Sequence, residues 1–276
     1  MPDTGSSISP PSPWHDWHNA AVYQSYVEEF PIYGWLNRKL ASIARLEEAE
    51  RILDLACGTG ATALGCLPYM DRDAELVGID SAWPMVEIAR AEVGDPRCRF
   101  LVGDARELSR HLDGPYDRAV CNAALWQLPE LGRVLAELSR VLKPGARLAF
   151  SIPTQQVAPE STAAHPFQVA LARLLDEAHR DGRPPSALFS SPDALQHLLG
   201  STGFRTELVT EASYAGEQRE LVSLMRIPAM TRSLAPGLSE EACRQAVAKA
   251  AERVDLEQKV TVSWTFVCAV TGPHDA

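Results

Sequence analysis

Residues 51–60, Arg-Ile-Leu-Asp-Leu-Ala-Cys-Gly-Thr-Gly, carry an apolar run with strand character straight into a glycine turn. A second apolar run, Val77-Gly78-Ile79, ends in an acid at Asp80. No other stretch constrains the fold as much. Glycine reaches backbone angles closed to residues with a Cβ, so Gly58 and Gly60 let the chain turn sharply and pass within contact distance of a bound group. A helix from about Ala61 then begins at that group. Asp80, at the carboxyl end of a second parallel strand, is placed to accept hydrogen bonds from both hydroxyls of a ribose. Asp54 sits where a carboxylate faces a positively charged group, which argues against a phosphate at that point.

The rest of the chain repeats the alternation of strand and helix. Strands are expected near 51–56, 75–80, 98–103, 116–121 and 146–153, with helices near 60–69, 83–93 and 131–142 between them. This pattern implies a parallel sheet covered on both faces. Ahead of the first strand, residues 14–48 alternate aromatic and apolar positions at helical spacing and read as one or two cap helices. Beyond strand five come a helical stretch near 165–181, a loop at Asp181-Gly182-Arg183-Pro184-Pro185, and a helix begun by Ser191-Pro192-Asp193, with Ser190 or Ser191 as its cap. Gly203 to Thr210 reads as strand six and Lys259 to Val270 as strand seven. The long stretch between them, 216–256, has helical pattern over Glu240 to Val254 and a proline-broken piece at Ile227-Pro228 and Ala235-Pro236-Gly237. The first residues, 1–13, are rich in Ser and Pro and are expected to be a disordered tail, not a signal peptide.

From here the chain resembles the class I S-adenosylmethionine-dependent methyltransferases, and the resemblance runs in order through five motifs. The first is Asp54-Leu55-Ala56-Cys57-Gly58-Thr59-Gly60, with Ala56 where glycine is commoner. The second is Gly78-Ile79-Asp80-Ser81, followed by Met85, whose side chain the resemblance packs on the adenine. The third is Gly103-Asp104-Ala105, where Asp104 would accept from the adenine amino group and the Ala105 amide would address the ring. Tyr116 to Asn122 matches the fourth, and Leu138 to Ala146 matches the helix and turn before strand five. The implied fold is α/β, a doubly wound, mostly parallel, seven-stranded Rossmann-like sheet closed by an antiparallel pair. Residues 49–270 would form the core, with 216–256 as a helical lid inserted before the last strand. The alternative reading of that insertion is packing or an oligomer contact, such as a homodimer interface.

The implied cofactor is S-adenosyl-L-methionine, with S-adenosyl-L-homocysteine as product. The implied chemistry is an in-line displacement at the sulfonium methyl, for which aligned reactants recover about 7–11 kcal/mol of barrier by proximity. A base is needed only where the acceptor sheds a proton. His18, His15 and His165 are the candidates, each weighed against the commoner structural or surface histidine. Trp126, just past strand four, would wall the pocket, and Asn122 would hold the methionine amine through its backbone carbonyl. Of Tyr23, Tyr26 and Tyr33, one is expected near the methionine carboxylate, Tyr26 being chosen, against a plain helix-face core stripe.

Other readings compete. Gly58 to Ala63 also fits G-x-G-x-x-A, with Asp80 twenty positions beyond Gly60, as in a nicotinamide dinucleotide site. Asp54 and the Gly103-Asp104-Ala105 run weigh against that oxidoreductase. A protein that binds the cofactor but catalyses a non-methylating reaction, such as a cyclisation, shares every motif, because function resides in the acceptor site. A protein-modifying methyltransferase needs an open groove. The preferred reading is a small-molecule acceptor in specialised metabolism. A net charge of −10 disfavours a polyphosphate partner. No segment reads as membrane-spanning, and the six cysteines, with no C-x-x-C pair, suit a reducing cytoplasm. No metal is expected: relatives that use one place a carboxylate where this chain has Asn122.

Overall fold

The computed structural model describes residues 13–158, 165–178, 189 and 191–272. Residues 1–12 of the expected tail (1–13), the loop at 181–185 and Ser190 lie outside the described residues, whereas Pro13 opens a 3-10 turn, Pro13–His15. The elements run in chain order as α1 (Trp17–Glu29), α2 (Ile32–Ala44), β1 (Arg51–Leu55), α3 (Ala61–Cys66), β2 (Glu75–Asp80), α4 (Trp83–Glu92), β3 (Cys98–Val102), α5 (Leu108–His111) and β4 (Tyr116–Cys121). They continue as α6 (Leu131–Val141), β5 (Leu142–Pro153), α7 (Pro166–Ala178), α8 (Pro192–Ser201), β6 (Phe204–Glu217), α9 (Gln218–Met225), α10 (Pro228–Leu234), α11 (Glu240–Ala251) and β7 (Lys259–Thr271).

All seven strands join one sheet in the order β3-β2-β1-β4-β5-β7-β6. The first five are parallel, and β7 pairs antiparallel with both β5 and β6. Strand order reverses between β1 and β4, leaving a crevice at their carboxyl ends, the place where open α/β sheets bind ligands. Alternation along each strand feeds two cores. Ile52, Leu76, Phe100, Val120, Ala149 and Phe266 face the α2–α3–α4 side, whereas Leu53, Val77, Ala119, Leu148 and Phe150 face the α6–α8 side. Period two puts Asp54 on the Ile52 face, beneath the cap helices. On α6, Leu131, Val134, Leu135, Leu138 and Val141 are buried, one apolar stripe at helical spacing. Each such side chain contributes about 1.5–3 kcal/mol by leaving water.

The region between the last two strands departs from its sequence reading. Strand six extends to Glu217, pairing with β7 from Phe204↔Thr271 to Glu217↔Lys259. The intervening helices therefore begin at Gln218. They share a core with α7, in which Phe167, Leu171 and Leu175 meet Leu221, Val247 and Ala250. Gln218, fully buried, joins the two parts: its Oε1 accepts from the Phe167 amide at 2.8 Å, and its Nε2 donates to Gln258 Oε1 at 3.0 Å. This helical layer reaches the N-terminal cap. The Ala229 amide, in the first turn of α10, donates to buried Asn19 of α1 at 2.7 Å. The indole N–H of Trp14 donates to Gln127 Oε1, after β4, at 2.9 Å. Among the described residues no helix is long and apolar enough to cross a membrane, and the six cysteines are unpaired.

Candidate active site

The turn after β1 uses the left-handed region three times, at Ala56 (φ 55°), Gly58 (φ 53°) and Gly60 (φ 87°). A Cβ on Gly60 would lie 2.7 Å from Val93 Cγ2 and 3.2 Å from Ala89 Cβ, so only glycine lets α3 start this close to α4. A Cβ on Gly58 would meet nothing nearer than Tyr23 Cε1 at 3.7 Å. Gly58 is thus demanded by backbone angle. Asp80 fixes the same turn from the end of β2: its Oδ2 accepts the Gly58 amide at 3.0 Å and its Oδ1 the Ala82 amide at 2.8 Å. Each oxygen keeps accepting capacity for a further donor. Burial raises the Asp80 pKa, while those two amides and the nearby His15 pull it back.

Asp54 is the anomaly of the site. It is fully buried, and neither carboxyl oxygen has a hydrogen-bond partner. Burial, followed by the like charge of Asp80, pushes its pKa well above the ordinary carboxylate range. Thr59 Oγ1, in the adjacent turn, is likewise buried without a partner. Buried polar atoms are nearly always satisfied, so orphans clustered at a sheet's switch point mark a site built for an incoming donor. A group carrying N–H donors and positive charge fits both oxygens of Asp54.

The other expected residues lie on the segments that follow β1, β2, β3 and β4 and on the cap. Met85 packs with Ala82 against Ala20 of the cap, and Trp14 and Tyr23 border that cluster. Ser81 is exposed, and Cys57 is buried with its thiol pKa pushed up by burial. Asp104 already has a partner, Arg106, whose backbone amide approaches Oδ1 at 2.8 Å and whose Nη2 approaches Oδ2 at 2.7 Å. These bonds hold the Asp104 pKa below its usual value. Ala105, between them, opens the following turn. Of the three tyrosines, Tyr23 faces Gly58, whereas Tyr26 turns to Phe30 (5.1 Å) and Tyr33 (5.9 Å).

The candidate bases are scattered. His18 is exposed in the first turn of α1, where its backbone amide donates to Asp16 at 2.6 Å. His165 is half-buried at the start of α7, and burial alone lowers its pKa. Trp126 lies against Trp264 of β7 at 5.9 Å, with Trp35 nearby on Phe266 (6.0 Å) and Tyr214 (5.6 Å). The Trp264 indole N–H is buried without a partner. Among the described residues no group of three or more His, Cys, Asp or Glu side chains is placed to hold a metal. Sequence reasoning weighed Tyr23 but chose Tyr26, read Thr59 only as a motif position, and passed over Asn37, Arg106, Ser151 and Trp264 as site residues. Of the residues passed over, Arg106 carried a local signal, two residues after Asp104.

Comparison with known proteins decides between the cofactor readings. Residues 52–145 match the family model described as a methyltransferase domain. Over 188 residues the chain is 34% identical to the demethylmenaquinone methyltransferase of Thermus thermophilus, an alignment covering 63% of this chain and 83% of that protein. The chain belongs to the class I S-adenosylmethionine-dependent methyltransferases. The nicotinamide dinucleotide reading of Gly58 to Ala63 is thereby set aside. Solved methyltransferase-fold structures agree in architecture. The YcgJ protein of Bacillus subtilis superposes with a TM-score of 0.56 at 20% identity, covering 86% of this chain and 98% of that one. A SAM-dependent methyltransferase from Thiobacillus denitrificans in complex with S-adenosyl-L-homocysteine gives 0.56 at 17%, covering 88% and 92%. At those identities the likeness speaks for the fold alone.

Proposed function

We propose that this methyltransferase moves the methyl group of S-adenosylmethionine to a small-molecule acceptor held between the cap helices and the helical layer before β7. Asp54 carries the cofactor part of the reading: a fully buried carboxyl with two partnerless oxygens beside the glycine turn calls for a cationic donor, and the methionyl ammonium is one. Asp80, oriented by the Gly58 and Ala82 amides, would take the ribose hydroxyls. Ala82 and Met85 offer an apolar bed for the adenine, and Asp104 with Ala105 lies at its polar edge. When bound, the cofactor supplies an electrophilic methyl on a sulfonium whose positive charge is lost as the methyl departs.

The chain's own tasks are alignment and exclusion of water. The Asn19–Ala229 and Trp14–Gln127 hydrogen bonds join cap, lid and post-β4 loop, and this closure favours a small acceptor over a protein. Trp126 and Trp35, both half-buried, offer aromatic surface that suits an apolar ring. Where the acceptor sheds a proton, His165 is the base to test, since burial keeps its imidazole neutral. The name of the Thermus relative makes demethylmenaquinone the first acceptor to try. The experiment is incubation with methyl-labelled S-adenosylmethionine, demethylmenaquinone in its reduced form and, separately, a deproteinised small-molecule extract. Label recovered in the organic or small-molecule fraction supports the proposal. Transfer only to protein, or none while the cofactor binds, overturns it.

A further inference from the structure

We propose that Asn37, Asn122 and Ser151 form a positioning chain for the amino-acid end of the cofactor, an inference that rests on the cofactor reading above. Ser151, in β5, donates through its hydroxyl to Asn122 Oδ1 at 2.5 Å; Asn122 Nδ2 donates to Asn37 Oδ1 at 2.5 Å; Asn37 Nδ2 donates to the Ala61 carbonyl at 2.8 Å. The hydroxyl oxygen of Ser151 also accepts the Ala123 amide at 2.9 Å. All three side chains are buried. A satisfied buried network of this kind is rigid, because any member that moves strands its neighbours without partners in a low-dielectric interior.

Its two ends sit on the two rims of the crevice. Ala61 is the first residue of α3, directly after Gly60. The helix carrying Asn37 has no slack against α3, since a Cβ on Gly65 would come within 2.5 Å of Asn37 Cβ. At the other end the chain grips the Asn122–Ala123 peptide. Ala123 holds φ 53°, a left-handed angle that a residue with a Cβ adopts only when its surroundings impose it. β1 and β4 are neighbours, with Asp54 opposite Val120, so the partnerless carboxyl lies between the rims that the chain fixes. The part of the cofactor between those rims is the amino-acid end directed at Asp54, whereas ribose and adenine follow Asp80 and Met85 on the far side of β1. Asn37 and Ser151 both lie outside the matched segment 52–145. The cap, through Asn37, and β5, through Ser151, together hold the methionyl pocket in shape.

The test compares two ligands by calorimetry: S-adenosylhomocysteine, and 5′-methylthioadenosine, which keeps the adenosine and thioether but lacks the amino-acid end. Wild type, Asn37→Ala and Ser151→Ala are measured, with thermal melts to establish folding; Ser151→Ala, the smaller excision, carries the test if Asn37→Ala does not fold. A loss of about tenfold to a hundredfold in affinity for S-adenosylhomocysteine is expected, with methylthioadenosine affinity within about twofold of wild type. A general structural role would lower both affinities together, and that result, or an unchanged S-adenosylhomocysteine affinity in a folded variant, overturns the inference. Wild-type protein that binds neither ligand overturns the cofactor reading itself.

Discussion

Replacing Asp54 by asparagine separates what this carboxyl does for the fold from what it does for binding. In the ligand-free protein it has no donor on either oxygen and faces the like charge of Asp80, so it keeps its proton above the ordinary carboxylate range. The unfolded chain releases that proton at about pH 4. Between that point and the raised folded pKa, the native state binds a proton that the unfolded state does not. Stability is therefore complete below the unfolded pKa and falls as pH rises through the window, by about 1.4 kcal/mol per pH unit. Asparagine does not titrate, so Asp54→Asn should flatten this slope and raise the melting temperature at neutral pH. Binding moves the other way. A cationic ammonium needs the ionised carboxylate, so complex formation expels a proton and wild-type affinity rises up to tenfold per pH unit within the window. Removing the charge from a buried pair costs about 2–5 kcal/mol, some thirtyfold to several-thousandfold in Kd. Titration with S-adenosylhomocysteine in buffers of different ionisation enthalpy counts the protons, and differential scanning calorimetry follows stability. Wild-type binding that is flat with pH and releases no proton would refute the reasoning, as would an Asp54→Asn protein that binds as tightly and melts no later.

Asp80→Ala should weaken S-adenosylhomocysteine binding by about 1–3 kcal/mol, the usual cost of losing a charge-assisted partner; unchanged affinity in calorimetry would sink the ribose assignment. Ala56→Gly should stabilise the protein by about 0.5–1 kcal/mol, because alanine at φ 55° pays about 1–2 kcal/mol that glycine avoids, less glycine's greater freedom when unfolded. A lower melting temperature would contradict that balance. Methyl transfer should persist in excess chelator, since Asn122 stands where metal-dependent relatives keep a carboxylate; activity lost to chelation and restored by magnesium would overturn this.

The glycine turn and the two strand-end acids were legible because their signals are local. Asp54, Gly58, Gly60 and Asp80 act through backbone angle and strand ends within one βαβ unit, and their spacing alone places them at the crevice. Ala56 was recognisable as an oddity in the first motif, and its left-handed angle explains why glycine is the commoner residue. The long-range contacts of the cap and helical layer, where the acceptor is proposed to lie, were not legible in the same way. Asn37 meets Asn122 across 85 positions and Asn19 meets Ala229 across 210; contacts at that separation have no periodicity to betray them. Strand six ran past its expected end because Thr210 to Glu217 is an edge segment, exposed or half-exposed except at Gly216, whose small and polar residues look like loop. The ladder to β7, whose inner residues are buried, holds it extended. The short α9 and α10 hid for a related reason: a break at Ile227-Pro228 splits them below the length at which helical periodicity stands out.

The bond between Asn19 and the first turn of α10 has a practical consequence for anyone trimming this protein. The family-matched segment runs from 52 to 145, yet cutting at those borders would keep the glycine turn and Asp80 while deleting both partners of that bond, the Trp14 clasp on Gln127, Asn37, and the strands after β4. What survived would be a glycine turn and a strand-end acid without walls. Module borders drawn from shared sequence and borders drawn from shared work are, in this chain, different lines.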